Sequence, residues 1–177
     1  MIRTAVILLS VWNLFGLLPG DRVELRDISG VFEEKRLTVR GRVTGIEPED
    51  LRQALESGET LIFDYHVELR RERGIWFDEF VEEFHYQKKL SFDTLTRQYF
   101  ARSEVDGTDG EAIIHEDLAH AVQWLTALDR WEIPTGLVMR DGKTYIRGRV
   151  VLRRRKLLLV IPWETATPWS RAPVTFP

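Results

Sequence analysis

The sequence predicts a mainly β (α+β) protein: an antiparallel β-sandwich-like or curved sheet of about six strands, with one main amphipathic helix and one short helix. Three observations predict this fold class. First, apolar and polar residues alternate in segments 37–44, 61–70 and 143–151, as they do in strands with one face in water. Second, the short turns between consecutive predicted strands favour antiparallel pairing. Third, segment 114–129 carries an apolar stripe at helical spacing.

The length and composition indicate one folded domain. The chain has 177 residues, of which 44% are hydrophobic and 30% are charged. We expect a single β-rich domain over residues 21–177, preceded by a distinct N-terminal segment. The net charge of -3 argues against nucleic-acid binding, which needs a strongly basic surface. The sequence contains no cysteine, which excludes disulfides, thiolate metal sites and cysteine nucleophiles.

Residues 1–20 differ from the rest of the chain. Arg3 precedes an apolar run over residues 4–18, and a Pro-Gly pair ends that run. As a helix the run is about 22 Å long, which is shorter than the hydrocarbon core of a bilayer, about 30 Å. It predicts an export signal, or an uncleaved membrane anchor, since no Ala-x-Ala triplet ends the segment. We therefore expect a periplasmic or cell-envelope protein, held in the inner membrane by residues 4–18 if cleavage does not occur. A buried N-terminal strand or helix is the alternative interpretation.

The two helices are predicted from their end signals and apolar spacing. Pro48 suits the first position of the short helix, and Gly58 suits its C-terminal end. The main helix follows from six apolar residues that share one helical face: Ile114, Leu118, Ala121, Val122, Leu125 and Leu128. Pro134 and Gly136 mark the end of that segment.

The remaining strands are predicted from composition. Segment 75–92 indicates one long or bent strand, or two strands, although the spacing of Phe80 and Phe84 also suits a helical turn. Segment 94–103 is rich in threonine and aromatic residues, which favours another strand. The apolar run 157–161 is typical of a strand covered on both faces.

Several stretches resemble a bacterial family known as domain of unknown function 4390. The most specific is Leu95-Thr-Arg-Gln-Tyr99. The others are residues 54–63, Leu118-Ala119, Trp124-Leu125, Trp131, Tyr145-Ile-Arg-Gly-Arg149, residues 157–161 and Trp169-Ser170. The resemblance runs from about Val31 to the end of the chain and implies an exported or membrane-attached protein, linked to a membrane signalling system. It implies no catalytic residues.

The histidines raise the question of a metal or acid–base site. His115 and His120 are five residues apart, which would set them about 140° apart on a helix and prevent joint metal binding. His66 shares a predicted strand face with Asp64 and Glu68, and a carboxylate–imidazole cluster is the minimum for acid–base catalysis. The alternative is a solvated sheet face with cross-strand charge pairs. We therefore predict no catalytic, cofactor or metal residues and a protein that is not an enzyme.

The loop around Asp106 resembles part of a calcium loop. Segment 106–111 lacks oxygen ligands at the required spacing, and no bidentate glutamate follows. Its Asp-Gly pairs are typical of a simple turn, which is our interpretation.

An arginine stripe is the strongest candidate binding feature. Arg147, Arg149, Arg153 and Arg155 have equal parity, so one strand places all four on the same face, where Arg40 and Arg42 of a neighbouring strand could join them. Such a stripe could bind anionic lipid head groups or an acidic partner. The alternative is pairing with the acidic residues of segment 78–83.

Arg97 and Tyr99 form a second candidate pair. They lie two residues apart and therefore share one face of the predicted strand. A packing role for the tyrosine, with the arginine stacked or paired beside it, competes with a role in a recognition groove.

Together these features predict a non-catalytic binding module of the cell envelope. Its partner would be an envelope protein or an anionic lipid surface, and not nucleic acid. A second hypothesis is a small apolar ligand or lipid held between sheet and helix by Trp124, Trp131 and the aromatic residues around Phe84.

Overall fold

The structure, a computed structural model, describes residues 22–74, 77–136, 143–156 and 159–177. The predicted export signal or anchor at residues 1–20 lies outside the described residues, and so do residues 157–158 of the predicted strand 157–161. In the described residues the chain forms two helices and ten strands. The helices are α1 (Pro48–Glu56) and α2 (Leu118–Thr126). The strands are β1 (Glu24–Glu33), β2 (Arg36–Thr44), β3 (Glu59–Arg71), β4 (Glu79–Asp93), β5 (Gln98–Val105), β6 (Thr108–His115), β7 (Ala127–Pro134), β8 (Thr144–Lys156), β9 (Leu159–Ala166) and β10 (Ser170–Thr175).

Nine of these strands form one curled, half-barrel sheet in the order β6-β5-β4-β3-β8-β10-β1-β2-β7. Strand β9 is not part of this order and pairs with β8. Strands β1 and β10 are parallel, so the sheet is mixed. The predicted class of a mainly β fold with a curved sheet is confirmed, whereas the prediction of about six strands, all antiparallel, is wrong. The parallel pair arises because the chain returns at its end to lie beside its first described strand, a long-range contact that local patterns do not contain.

The main helix is shorter than its apolar stripe predicted. Asp117 caps α2, since its carboxylate accepts a hydrogen bond from the backbone N–H of His120 at 2.9 Å. Ile114, at the start of the predicted stripe, lies instead on β6, and Leu128, at its end, lies on β7. Both matched the helical spacing although they belong to flanking strands, and β7 was missed for that reason.

The short helix and the strongest strands agree with their predictions. Helix α1 begins at Pro48, and Gly58 follows its last turn with a φ of 81°, a conformation that glycine adopts without strain. Segment 75–92 contributes one long strand, β4. The predicted strand 94–103 is only partly present. Residues 94–97 form a turn in which Arg97 has a left-handed φ of 55°, and β5 begins at Gln98.

The core lies inside the curl of the sheet. Strand β3 contributes its odd-numbered residues, Leu61, Phe63, Tyr65, Val67 and Leu69, and all five are at most 2% exposed. Helix α2 contacts β2 and β7 at one end of the sheet and β4, β5 and β6 at the other, so it lies within the half-barrel. Burial of these apolar side chains is the main source of stability.

One cation lies in this core. Lys88 of β4 is 4% exposed, and its ammonium donates hydrogen bonds to the carbonyls of Trp124 at 2.6 Å and Ala127 at 2.5 Å. The same nitrogen lies 4.8 Å from the Trp124 ring centroid and 5.5 Å from that of Tyr86. Lys88 therefore ties the C-terminal end of α2 to the sheet, where carbonyls and the helix dipole favour a positive charge.

Candidate binding face on the outer side of the sheet

The outer face, as we call it, is the side of β3, β4 and β8 that points away from the core. The register of β3 and β8 is continuous and places His66 opposite Arg149 and Glu68 opposite Arg147. The even-numbered apolar residues Ile146, Val150 and Leu152 of β8 belong to the buried core. Because side chains alternate along a strand, the predicted arginines of β8 lie together on the outer face.

Arg147 forms the best-defined ion pair of this face. Its Nε and Nη2 atoms donate to the two carboxylate oxygens of Glu68 at 2.7 and 2.9 Å, a bidentate geometry. Arg70 donates to the same carboxylate at 2.7 Å. Burial alone would raise the pKa of Glu68, but the hydrogen bonds from Arg147 and Arg70 outweigh it and hold that pKa below its ordinary value.

Arg153 joins two carboxylates at the other end of the face. Its Nη1 lies 3.2 Å from Asp64 Oδ2, and its Nε donates to Glu164 Oε2 at 3.0 Å. Burial opposes ionisation of Asp64, yet His66 and Arg153 lower its pKa overall. Arg155, the last arginine of the stripe, is exposed opposite Thr60.

Arg149 differs from these two arginines. Its guanidinium carbon lies 4.6 Å from the ring centroid of Trp169, and that of Arg147 lies 4.4 Å from the same ring. The buried Nε of Arg149 has no hydrogen-bond partner within the described ranges, and no carboxylate there lies within ion-pair distance of it. Arg149 is thus a cation held against Trp169 without an ion-pair partner among the described residues.

The alternative partners predicted for the stripe are not the observed ones. Glu79 of the acidic segment 78–83 pairs with Arg71 at 3.4 Å and with Arg73 at 2.9 Å, not with the arginines of β8. Arg40 and Arg42 lie on β2, which β10 and β1 separate from β8, so they do not join the face. The order of strands in the sheet, which local sequence does not reveal, decides both outcomes.

Arg97 and Tyr99 do not form a strand pair. Arg97 lies exposed in the turn before β5, and Tyr99 is a buried residue of β5 whose ring centroid lies 4.8 Å from that of Phe92. The prediction that both share one strand face is wrong, because the strand starts at Gln98. Tyr99 has the packing role that was one of the two interpretations.

Two histidines of the outer face lie side by side. His66 and His85 are directly opposite each other on β3 and β4, with ring centroids 4.5 Å apart. His66 Nε2 lies 3.4 Å from Asp64 Oδ2, and His66 Nδ1 lies 3.4 Å from Glu83 Oε1. Asp64 beside it raises the pKa of His66, against burial and the nearby charge of Arg149. This cluster is half-buried rather than the fully solvated face that the sequence suggested.

The other predicted features lie elsewhere. His115 ends β6, and His120 belongs to α2, where its Nδ1 lies 2.5 Å from Asp117 Oδ2. Asp106 and Gly107, with φ angles of 45° and 82°, form the tight turn between β5 and β6. Trp131 stacks on Tyr86 with centroids 5.3 Å apart and meets Phe84 edge-on, so these aromatics fill the core where an apolar ligand was predicted.

The comparison with known families adds one finding. The sequence profile of a family described as Domain of unknown function (DUF4390) matches residues 20–171. The chain belongs to this family. The DUF4390 match confirms the resemblance predicted from the sequence and spans the sheet from before β1 into β10. Searches of curated proteins and of solved structures found no match. Within the part of the chain that is described, neither helix of this DUF4390 domain is long and apolar enough to cross a bilayer.

Proposed function

We propose that this DUF4390 domain is a non-catalytic interaction module of the cell envelope, which binds a protein partner through its outer face. The observation that carries the proposal is Arg149, a guanidinium held against Trp169 without a carboxylate partner among the described residues. Tryptophan and arginine contribute disproportionately to the binding energy of protein interfaces. A carboxylate on the partner would supply the ion pair that Arg149 lacks.

The charges of the face favour a protein over a lipid surface. Arg147 and Arg153 are neutralised by Glu68, Asp64 and Glu164, so little positive charge remains in excess. Binding to anionic lipid depends on such an excess, at about 1 kcal/mol for each basic residue near the surface. A mosaic of both signs instead selects a complementary protein surface.

The location in the envelope rests on residues 1–20. Arg3 followed by an apolar run has the composition of an export signal or anchor. We expect a fusion of residues 1–25 to a reporter that is active only outside the cytoplasm to be active. A silent reporter would contradict the location without affecting the binding face.

Site-directed photo-crosslinking tests the binding face. A photoreactive residue in place of Glu164, which is 56% exposed beside Arg153, should give a discrete protein adduct in cells of the source organism. The same residue in place of Arg26, which is 64% exposed on β1, is the control and should give none. Equal adducts at both positions, or none at either, would contradict the proposal.

Vesicles distinguish the lipid alternative. We expect the chain without residues 1–20 to sediment no more with phosphatidylglycerol-containing vesicles than with pure phosphatidylcholine vesicles. Selective sedimentation with the anionic vesicles that Arg149→Glu abolishes would assign the face to lipid instead.

One observation favours a second candidate function, the binding of a small apolar ligand. A pocket of about 330 Å³ lies beside α1 and is lined by Leu51, Leu61, Phe63 and Leu152. This size suits a small ligand. Mass spectrometry of the natively purified chain should then detect a bound lipid or other apolar molecule that Leu51→Trp removes, and an empty wild-type chain would exclude this candidate.

A further inference from the structure

The strongest unassigned cluster of the molecule lies next to the arginines on the outer face. Asp64, His66 and His85 each offer one ligand atom, and these atoms lie within 4.8 Å of one another. We propose that these three residues bind a divalent transition-metal ion, for which Zn²⁺ is the best match. The proposal uses residues other than Arg149, so it and the proposed partner binding can fail independently.

The first argument is the unused nitrogen of His66. Its Nε2 is buried and has no hydrogen-bond partner in the described segments, although Asp64 Oδ2 is only 3.4 Å away. A buried polar atom without a hydrogen bond is costly, and few occur in native proteins. A metal ion bound between the two atoms would give His66 Nε2 the partner it lacks, and Asp64 Oδ2, which already accepts from Arg153 Nη1, would bind the ion through its second lone pair.

The second argument is the separation of the ligand atoms. Zinc bonds to nitrogen and oxygen of about 2.0–2.1 Å in a tetrahedron place neighbouring ligand atoms about 3.3 Å apart. The observed 3.4 Å between His66 Nε2 and Asp64 Oδ2 fits this value. His85 is 45% exposed, so its ring is free to rotate by the small amount needed to close the third bond.

The third argument is a carboxylate behind the histidine. Glu83 Oε1 lies 3.4 Å from His66 Nδ1, the nitrogen that faces away from Asp64. A hydrogen bond from Nδ1–H to Glu83 leaves Nε2 unprotonated and ready to bind a metal, as in the carboxylate–histidine–zinc arrangement. Arg153 also holds Asp64 in place, through a contact of 3.2 Å to the same Oδ2 atom that would bind the metal.

The surrounding charge permits a dication. Arg149 and Arg153 lie beside the cluster, but three carboxylates, Asp64, Glu83 and Glu164, lie within the same part of the outer face. Two imidazoles and one carboxylate suit Zn²⁺ and its first-row neighbours, whereas Mg²⁺ prefers oxygen ligands. The strand pairing brings all of these residues together, since β3 lies between β4 and β8.

Calorimetric titration of the untagged chain with Zn²⁺ tests the site, and Mg²⁺ serves as the negative probe. We expect one Zn²⁺ per chain, at least tenfold weaker binding in His85→Gln, and a loss of about tenfold in Glu83→Gln. His120→Gln is the matched control, because His120 is an exposed histidine beside an aspartate outside the cluster, and it should bind as the wild type does. The unfolding midpoint without metal should be the same for all four proteins.

Two results would overturn the proposal. One is no binding of Zn²⁺ to the wild type at micromolar concentrations. The other is binding that His85→Gln and Glu83→Gln leave unchanged, or that His120→Gln weakens as much. Because His85 and Glu83 are partly exposed, neither variant should prevent folding. A folded variant that binds Zn²⁺ with full affinity therefore contradicts the proposed site.

Discussion

The two faces of β3 are both largely buried, but by different means. On the core side, Phe63 and Tyr65 are covered by apolar side chains, and the Tyr65 hydroxyl donates to the Leu125 carbonyl of α2 at 2.7 Å. On the outer face, Asp64 and Glu68 are 8% and 7% exposed beneath arginines of β8 that bond to them. The core side therefore supplies the stability, whereas the outer face presents charges whose positions are fixed by ion pairs. The core side of β3 therefore stabilises the fold, and the outer face is the side available for binding.

The largest predicted effects come from truncating one apolar side chain on each face of β3. Phe63→Ala should lower the free energy of unfolding by about 4 kcal/mol, because it leaves a cavity inside the half-barrel. Ile62→Ala, one residue away on the outer face, should cost about 2 kcal/mol, because flexible charged side chains can close over the gap. Urea unfolding measures both values. Equal losses of stability would contradict the assignment of stability to the core side of β3.

Lys88 is the exception that sharpens the comparison, since it is a charge on the core side. Lys88→Met should lower the free energy of unfolding by about 2 kcal/mol, because the carbonyls of Trp124 and Ala127 lose their donor. Lys89 lies on the outer face, is 33% exposed and pairs with Glu104. The matched variant Lys89→Met should therefore lower the free energy of unfolding by well under about 1 kcal/mol. A stabilised Lys88→Met would show that the two hydrogen bonds do not offset the burial of the charge.

The same lysine predicts a rise of stability with pH. Burial lowers the pKa of Lys88 to about 8, from 10.5 in the unfolded chain. Between these values the unfolded state binds more protons, so the free energy of unfolding increases as pH rises. The gain from pH 8 to pH 10 should be about 2 kcal/mol and absent in Lys88→Met. Above pH 10 Tyr65 acts in the opposite direction, because burial raises its pKa.

On the outer face, loss of an ion pair should cost less. Glu68→Gln should lower the free energy of unfolding by about 1 kcal/mol, since Arg147 is 31% exposed and remains hydrated. Glu164→Gln, at a 56% exposed carboxylate, should change it by less than about 0.5 kcal/mol. Thermal or urea unfolding measures both values. If Glu68→Gln lowered the free energy of unfolding as much as Phe63→Ala, the outer face would also be a main source of stability.

Much of the fold follows from local sequence. The alternation in β2, β3 and β8 is regular because each has one continuous apolar face, and the Pro48 and Gly58 signals place α1. Strand β1 was not predicted, because a bulge between Arg26 and Ser29 breaks the period of two and Asp27 takes a left-handed φ of 53°.

The site was predictable only in part. The parity of the arginines correctly places them on one face of β8, because side-chain direction is a local property of a strand. Their partners Asp64 and Glu68 were not predicted, because the pairing of β8 with β3 joins residues 79 and 89 positions apart. The proximity of His66 and His85 depends on the register of the β3–β4 hairpin, which the sequence pattern alone does not fix.

The most direct test of the central claim is Arg149→Gln, measured twice. Its thermal unfolding midpoint should equal that of the wild type within error, because Arg149 has no ion pair in the described part of the chain. The protein adduct from the photoreactive residue at position 164 should be lost. A variant that unfolds at lower temperature yet keeps the adduct would show that Arg149 serves the fold and that the outer face binds no partner through it.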